Sequence, residues 1–228
     1  MLCYKDGKDC PYKETCKNKT SDGSCSKMCV IFNEINIMMY NAGIPKKYIQ
    51  PYKLFPDKDD IDGYDVLNEI RKNIISAVDE GFNLYIQSYI KGNGKTSWGI
   101  KILQNYLHNL IGKPGSKKRG MYMDVGLYMR ELKLSFDSKD KKVSEFGIDI
   151  NSADLLVLDH IDEVRLSEWE RNYLKLLIRK RLSNNLTNIF IGNNLGNKLS
   201  AIVGEDLKYY IQDNSIVISL YGNRGVSK

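Results

Sequence analysis

The sequence predicts an α/β fold, a parallel sheet flanked by helices, preceded by a small Cys-rich metal-binding module. Three observations predict it. From residue 81 onward, short apolar strands alternate with longer amphipathic stretches, the pattern of a parallel sheet covered on both faces. A Gly-rich turn joins the first of these strands to a helix. All five cysteines stand at or before Cys29, and none follows. A chain of 228 residues, at about 150 per domain, holds one to two domains. The expected division is a Cys-rich module over residues 1–40 and an α/β domain over 41–228.

Taken in order, residues 1–30 are polar and Lys-rich, and such a stretch needs a staple to be ordered. Residues 30–40 are apolar at helical spacing, and Gly43-Ile44-Pro45 ends that run. Residues 64–78 predict a helix with Val66, Leu67, Ile70, Ile74, Ile75 and Val78 on one stripe. Strands are expected at 82–86, 121–125, 155–158, 188–191 and 216–220. Helices are expected at about 95–111, 126–136 and 168–181, and the loop 112–120 breaks the chain with Gly and Pro.

Composition narrows the classes. Hydrophobic residues are 42% and charged residues 27%, which excludes collagen-like and wholly disordered chains. No apolar run reaches the roughly 18 residues of a membrane span. The opening Met1-Leu2-Cys3-Tyr4-Lys5-Asp6 lacks the apolar core of a signal peptide. A cytoplasmic protein without membrane contact is expected. The net charge of +6 permits a nucleic-acid partner without demanding one.

Gly92-Asn93-Gly94-Lys95-Thr96 lies between a predicted strand and a predicted helix, where a phosphate-binding loop belongs. Glycines let backbone N–H groups converge on phosphate oxygens, and the helix N-terminus adds positive potential. Lys95 is expected to reach the β- and γ-phosphates, and the Thr96 hydroxyl to ligate Mg²⁺, with Ser97 beside them. Tyr89 stands where the usual motif has its first glycine. Asp154-Leu155-Leu156-Val157-Leu158-Asp159 is an apolar strand that delivers Asp159 to its C-terminal edge. Ligands of open α/β sheets bind at that edge, and a carboxylate there can hold Mg²⁺. Phe190-Ile191-Gly192-Asn193 ends another strand in an amide that can orient water or touch the γ-phosphate. The competing readings are a chance G-K-T turn, a helix-capping aspartate and a turn asparagine.

The cysteines read as metal ligands, because five clustered thiols in a chain with no export signal are poorly explained as a disulfide scaffold. Zinc takes four ligands, and Cys10, Cys16, Cys25 and Cys29 are the preferred set, with Cys3 able to replace one. There is no tight C-x-x-C pair. An iron–sulfur cluster also accepts four thiolates, and free thiols are the third reading. Lys117, Lys118 and Arg119 form a dense basic run, and Lys139 to Lys142 another. Either can follow a single-strand backbone with Tyr128 as a stacking face, or be a solvated loop.

These residues resemble the AAA+ helicase loaders, the DnaC/DnaI/IstB-type P-loop ATPases, and above all the versions carried by phages of low-GC Gram-positive hosts. The resemblance covers roughly residues 40–228 and rests on the order and spacing of motifs. Tyr128-Met129-Arg130-Glu131-Leu132-Lys133 is similar to the family's R-E-L-K helix, which adds Lys133 to the DNA-contact candidates. Leu156-Val157-Leu158-Asp159 is similar to its Walker B strand, and Ile191-Gly192-Asn193 to its T-S-N sensor. Gly43-Ile44-Pro45 with Tyr48 is similar to the G-I-P-x-x-Y segment beside the base. The resemblance implies binding of ATP or ADP with Mg²⁺, delivery of a hexameric replicative DNA helicase to single-stranded DNA, and assembly of copies on the helicase ring. It also implies an N-terminal zinc module that docks the helicase.

Two departures bear on hydrolysis. The position after Asp159, an acid in the family, is His160. Residues 204–211, where the family carries the arginine that acts on a neighbouring subunit's ATP, contain none. Arginine fingers contribute about 10³–10⁵-fold, and Lys208 cannot fork onto phosphate as arginine does. Arg224 remains a candidate phosphate sensor or a solvated tail charge. Persistent ATP binding with weak hydrolysis is expected. Two other functions stay open: an IstB-like transposition helper, and a non-catalytic nucleotide-binding adaptor or inhibitor of the host loader.

Overall fold

The computed structural model describes Cys16 and residues 29–49, 52–115, 119–138, 141–162, 166–193, 197–222 and 226–227. Five parallel strands form the central sheet: β2 (Asn83–Gln87), β3 (Gly120–Asp124), β4 (Leu155–Asp159), β5 (Thr187–Gly192) and β6 (Ile216–Ser219). Their order is β3-β4-β5-β2-β6. A two-residue antiparallel pair, β1 (Lys53–Leu54) with β7 (Val226–Ser227), lies apart and was not expected. Each predicted sheet strand is present within a residue or two of its expected bounds.

The strands are apolar on both sides because both sides are covered. Leu84, Ile86, Leu155, Val157, Ile189 and Ile191 face one core cluster. Their alternating neighbours Leu156, Leu158 and Phe190 face the other. The first cluster is closed by α1 (Val30–Asn41), α2 (Ile61–Lys72), α3 (Ile74–Asp79) and α4 (Lys95–Asn109). The second is closed by α5 (Val125–Ser138), α6 (Lys141–Ser152), α7 (Glu168–Ser183), α8 (Asn197–Val203) and α9 (Glu205–Lys208). Each fully buried Leu, Ile or Phe contributes about 1.5–3 kcal/mol of transfer free energy.

Several elements differ from expectation. The helix expected over 64–78 is two helices, because Asn73 leaves helical geometry at φ −99° and ψ 21°. Leu67, Ile74 and Val78 of the expected stripe are buried, whereas Val66 is 43% exposed. Helix α1, expected at the end of the N-terminal module, buries Ile35, Met38 and Met39 in the first core cluster. Helices α6, α8 and α9 and the π-helical turn Tyr209–Asp213 had no sequence assignment.

Arg181 of α7 is fully buried. It donates to the carbonyls of Ile150 at 2.7 Å, Ala153 at 2.8 Å and Thr187 at 2.7 Å, and to Asn188 Oδ1 at 2.6 Å. It thus ties the end of α6 to the start of β5. Burial lowers its pKa to about 9. Edge strand β3 is covered at one point, where Tyr122 N–H donates to Ala42 O at 2.7 Å.

Candidate functional site

The site forms where β2 turns into α4. Ser88 Oγ accepts from Ile90 N–H at 3.0 Å and from Asn93 Nδ2 at 2.6 Å, so a hydroxyl organises the turn that Tyr89 leaves without its usual glycine. Tyr89 itself points outward at 63% exposure. Gly94 is the residue before α4 and sits at φ 98°, a conformation glycine adopts without strain. Lys95 is buried, and its Nζ donates to Ile90 O at 2.8 Å and Asn93 Oδ1 at 3.2 Å. Asn93 also accepts at its backbone carbonyl from Tyr64 OH at 3.3 Å.

Asp159 arrives from β4, fully buried. Its Oδ1 accepts from Thr96 Oγ1 at 3.2 Å and from His160 N–H at 2.9 Å. Its Oδ2 accepts from Tyr122 OH at 2.8 Å. Burial pushes this carboxyl above the usual aspartate range, against the pull of these donors and of His160. His160 sits at φ 57°, and its Nδ1 is 2.8 Å from Asp124 Oδ2. That hydrogen bond, against the cost of burial, holds the Asp124 carboxyl below its ordinary value. Asp124 Oδ1 accepts from Leu127 N–H at 2.9 Å and so caps α5.

Together these groups enclose a cleft of about 270 Å³, lined by Tyr48, Gly92, Asn93, Gly94, Lys95, Thr96, Ser97, Asp159, His160 and Asn193 among others. A larger hollow of about 750 Å³ lies between α5, α6 and α7, away from the loop. Its lining includes Lys180 but no converging loop amides and no buried acid, and the smaller cleft is the chemically equipped one. Pro45 precedes the 3₁₀ turn Lys46–Tyr48 that carries Tyr48. Tyr48 is fixed by Gln104 Nε2 donating to its carbonyl at 2.8 Å, and the Ser97 carbonyl accepts from Tyr52 OH at 2.7 Å. Asn193 is held by its backbone N–H, which donates to both oxygens of Asp162 at 2.8 and 3.0 Å.

The other expected residues do not join this site. Arg119 precedes β3, at the sheet edge opposite the loop, and pairs with Asp154. Lys133 pairs with Glu170 at 3.0 Å. Tyr128, expected as a stacking face, is 4% exposed, its ring packed on Phe146 and Tyr173. Packing on both neighbours removes the open ring face that base stacking requires. Lys117, Lys118 and Arg224 lie outside the described residues, as do Cys3, Cys10 and Cys25. Cys16 and Cys29 carry no disulfide. Among the described residues, no group of three or more His, Cys, Asp or Glu is arranged to hold a metal ion, and no helix is long and apolar enough to cross a membrane.

Sequence reasoning missed Tyr122 and Asp124. The available signal was an acid ending two strands, Asp124 and Asp159. Only the parallel register, which sets those two residues side by side, makes them partners.

The fold has solved counterparts. The chain is similar to the DnaC helicase loader at 22% identity and TM-score 0.58, covering 73% of this chain and 93% of that one. It is similar to DnaI at 18% identity and TM-score 0.58, covering 78% and 94%. AMPPCP-bound DnaA from Aquifex aeolicus matches at 16% identity and TM-score 0.54, over 73% of this chain and 48% of that one. No protein-family model matches the sequence, and no curated protein matches it. The chain therefore shares the fold of the DnaC, DnaI and DnaA structures.

Proposed function

We propose that this chain is an ATP-binding helicase loader of the phage type, with weak intrinsic hydrolysis, that brings a hexameric replicative helicase to single-stranded DNA. The observation that carries the reading is the cleft in which the Gly92–Ser97 loop, buried Lys95 and Asp159 converge at the C-terminal edge of a DnaC-like sheet. Lys95 and the loop amides suit phosphate oxygens. Thr96 Oγ1 and Asp159 Oδ1, 3.2 Å apart, are the oxygen donors a hard cation prefers. Thr96 and Asp159 would hold Mg²⁺, which would supply charge neutralisation to the phosphates. Tyr48 and Pro45 flank the base, Asn193 faces the terminal phosphate, and Arg224 is the candidate phosphate sensor.

Residues 1–40 supply the helicase-docking module, with zinc on Cys10, Cys16, Cys25 and Cys29. A zinc assay with a Cys16→Ser control tests that part. The basic loop of Lys117, Lys118 and Arg119 is the DNA candidate, and its affinity should fall steeply with salt. The decisive experiment has two steps. Calorimetry should show ATP and ADP binding that is lost in Lys95→Ala and Asp159→Ala. Co-purification with replicative helicases, followed by mass measurement, should then give a defined complex. Absence of both overturns the reading.

A second reading has its own support. His160 in place of an acid, and the arginine-free stretch 204–211, favour a nucleotide-binding inhibitor of a host loader. Helicase loading measured with and without hydrolysable ATP separates the two.

A further inference from the structure

We propose that Asp60 is a positioning residue of the phosphate loop, acting through the C-terminal segment it grips, so that nucleotide and that segment tighten one another. This rests on the nucleotide-site reading above. Asp60 is 1% exposed and stands immediately before α2. An aspartate there ordinarily caps its own helix by accepting from first-turn amides. Asp60 makes no such bond. Its Oδ1 accepts from Tyr221 N–H at 2.6 Å and its Oδ2 from Gly222 N–H at 2.9 Å, 161 and 162 residues further along the chain. The approach leaves no room for a side chain at Gly222, whose added Cβ would stand 2.8 Å from Asp60 Oδ2 and closer still to Asp57.

The gripped segment meets the loop through Leu220. Its N–H donates at 2.9 Å to the carbonyl of Gln87, the last residue of β2. Its carbonyl accepts from Asn93 Nδ2 at 3.4 Å. Asn93 is fully buried between Gly92 at φ 79° and Gly94 at φ 98°. Glycines give the backbone wide freedom, so the loop's shape depends on what the Asn93 side chain holds. That amide also donates to Ser88 Oγ at 2.6 Å, and its oxygen accepts from Lys95 Nζ at 3.2 Å. Tyr64, one helical turn beyond Asp60, donates to the Asn93 carbonyl at 3.3 Å. The start of α2 therefore holds the loop twice, directly by Tyr64 and, through residues 220–222, by Asp60. A loop already ordered loses less freedom on binding phosphate and binds it more tightly. Linkage makes the effect reciprocal: a phosphate that fixes Asn93 also fixes Leu220, and with it the grip of Asp60. Asp60 is not among the residues lining the cleft, and its influence runs through the segment it holds.

The test uses the full chain with ADP and Mg²⁺, so that hydrolysis does not enter. Calorimetry reads affinity, and amide hydrogen exchange followed by NMR reads the Tyr221 and Gly222 N–H groups. In the unaltered chain, saturating ADP should slow exchange at both amides roughly fivefold or more, the low end of ordinary coupling between sites. Asp60→Ala should weaken ADP affinity by a similar factor, and Asp60→Asn, which keeps one acceptor oxygen, should restore part of it. A merely structural clasp leaves exchange indifferent to ADP. ADP bound with unchanged exchange therefore overturns the proposal. So does an Asp60→Ala chain that is folded by circular dichroism and binds ADP as the unaltered chain does. Should Asp60→Ala fail to fold, the exchange measurement on the unaltered chain decides. If the unaltered chain binds no ADP, the nucleotide site itself fails and takes the coupling with it. Binding without coupling sinks the role of Asp60 alone.

Discussion

Asp159 shows how much of a site depends on single contacts. Thr96 and the His160 N–H hold one of its oxygens, and Tyr122 holds the other. A hydrogen bond to a charged group contributes about 1.5–3 kcal/mol, so Tyr122→Phe should loosen the carboxylate. The expected result is several-fold weaker ATP affinity with Mg²⁺ present and unchanged affinity in EDTA, read by calorimetry. Arg181 is the structural counterpart. Arg181→Leu leaves the Ile150, Ala153 and Thr187 carbonyls without their donor. At about 1–3 kcal/mol for each buried unsatisfied group, the denaturant midpoint should drop sharply while the helical signal persists below it. Lys95, Thr96 and Asp159 were legible in the sequence because each sits in a local motif with its own spacing. Tyr122 and Asp124 were not, because their partners lie on or just after another strand and no local pattern marks the meeting.

Among the elements, α7 carries its own start signal. Ser167 and Glu170 exchange hydrogen bonds in a capping box, and Lys133 of α5 pairs with the same glutamate at 3.0 Å. Burial pushes the Glu170 carboxyl up, but the Ser167 donors and Lys133 outweigh it and hold the group below its ordinary value. A lowered carboxyl adds stability that is complete above the unfolded pKa of about 4.3 and fades as pH falls through the folded value. Glu170→Ala should therefore cost about 1 kcal/mol near neutral pH, and the gap in melting temperature should narrow below about pH 4. The helix of α7 was read from the sequence, whereas its capping box was not. Helix α6 was harder to see, although Val143, Phe146 and Ile150 repeat at helical spacing. Gly147 interrupts the run, and lysines precede it. The break at Asn73 was hidden for the opposite reason. The apolar stripe continues through it, while the backbone turns there and re-aims α3.

Over the whole molecule, the strand order could not be read from the chain, although the parallel sheet could. Apolar runs of four or five residues say that strands are buried on both faces, but not that β2 lies between β5 and β6. That placement is what brings the loop after β2 near the acid that ends β4. One consequence follows from the end of α1. The outer margin of β3 is a row of backbone groups on which a foreign strand can zip. The Ala42 carbonyl occupies that row at Tyr122, and Gly43 follows it at φ 73°, where an added Cβ would stand 3.0 Å from Tyr122 O. The small turn is thus a clasp against self-adhesion. Gly43→Val should spring it, and light scattering should then rise with protein concentration as copies stick together along the bared margin.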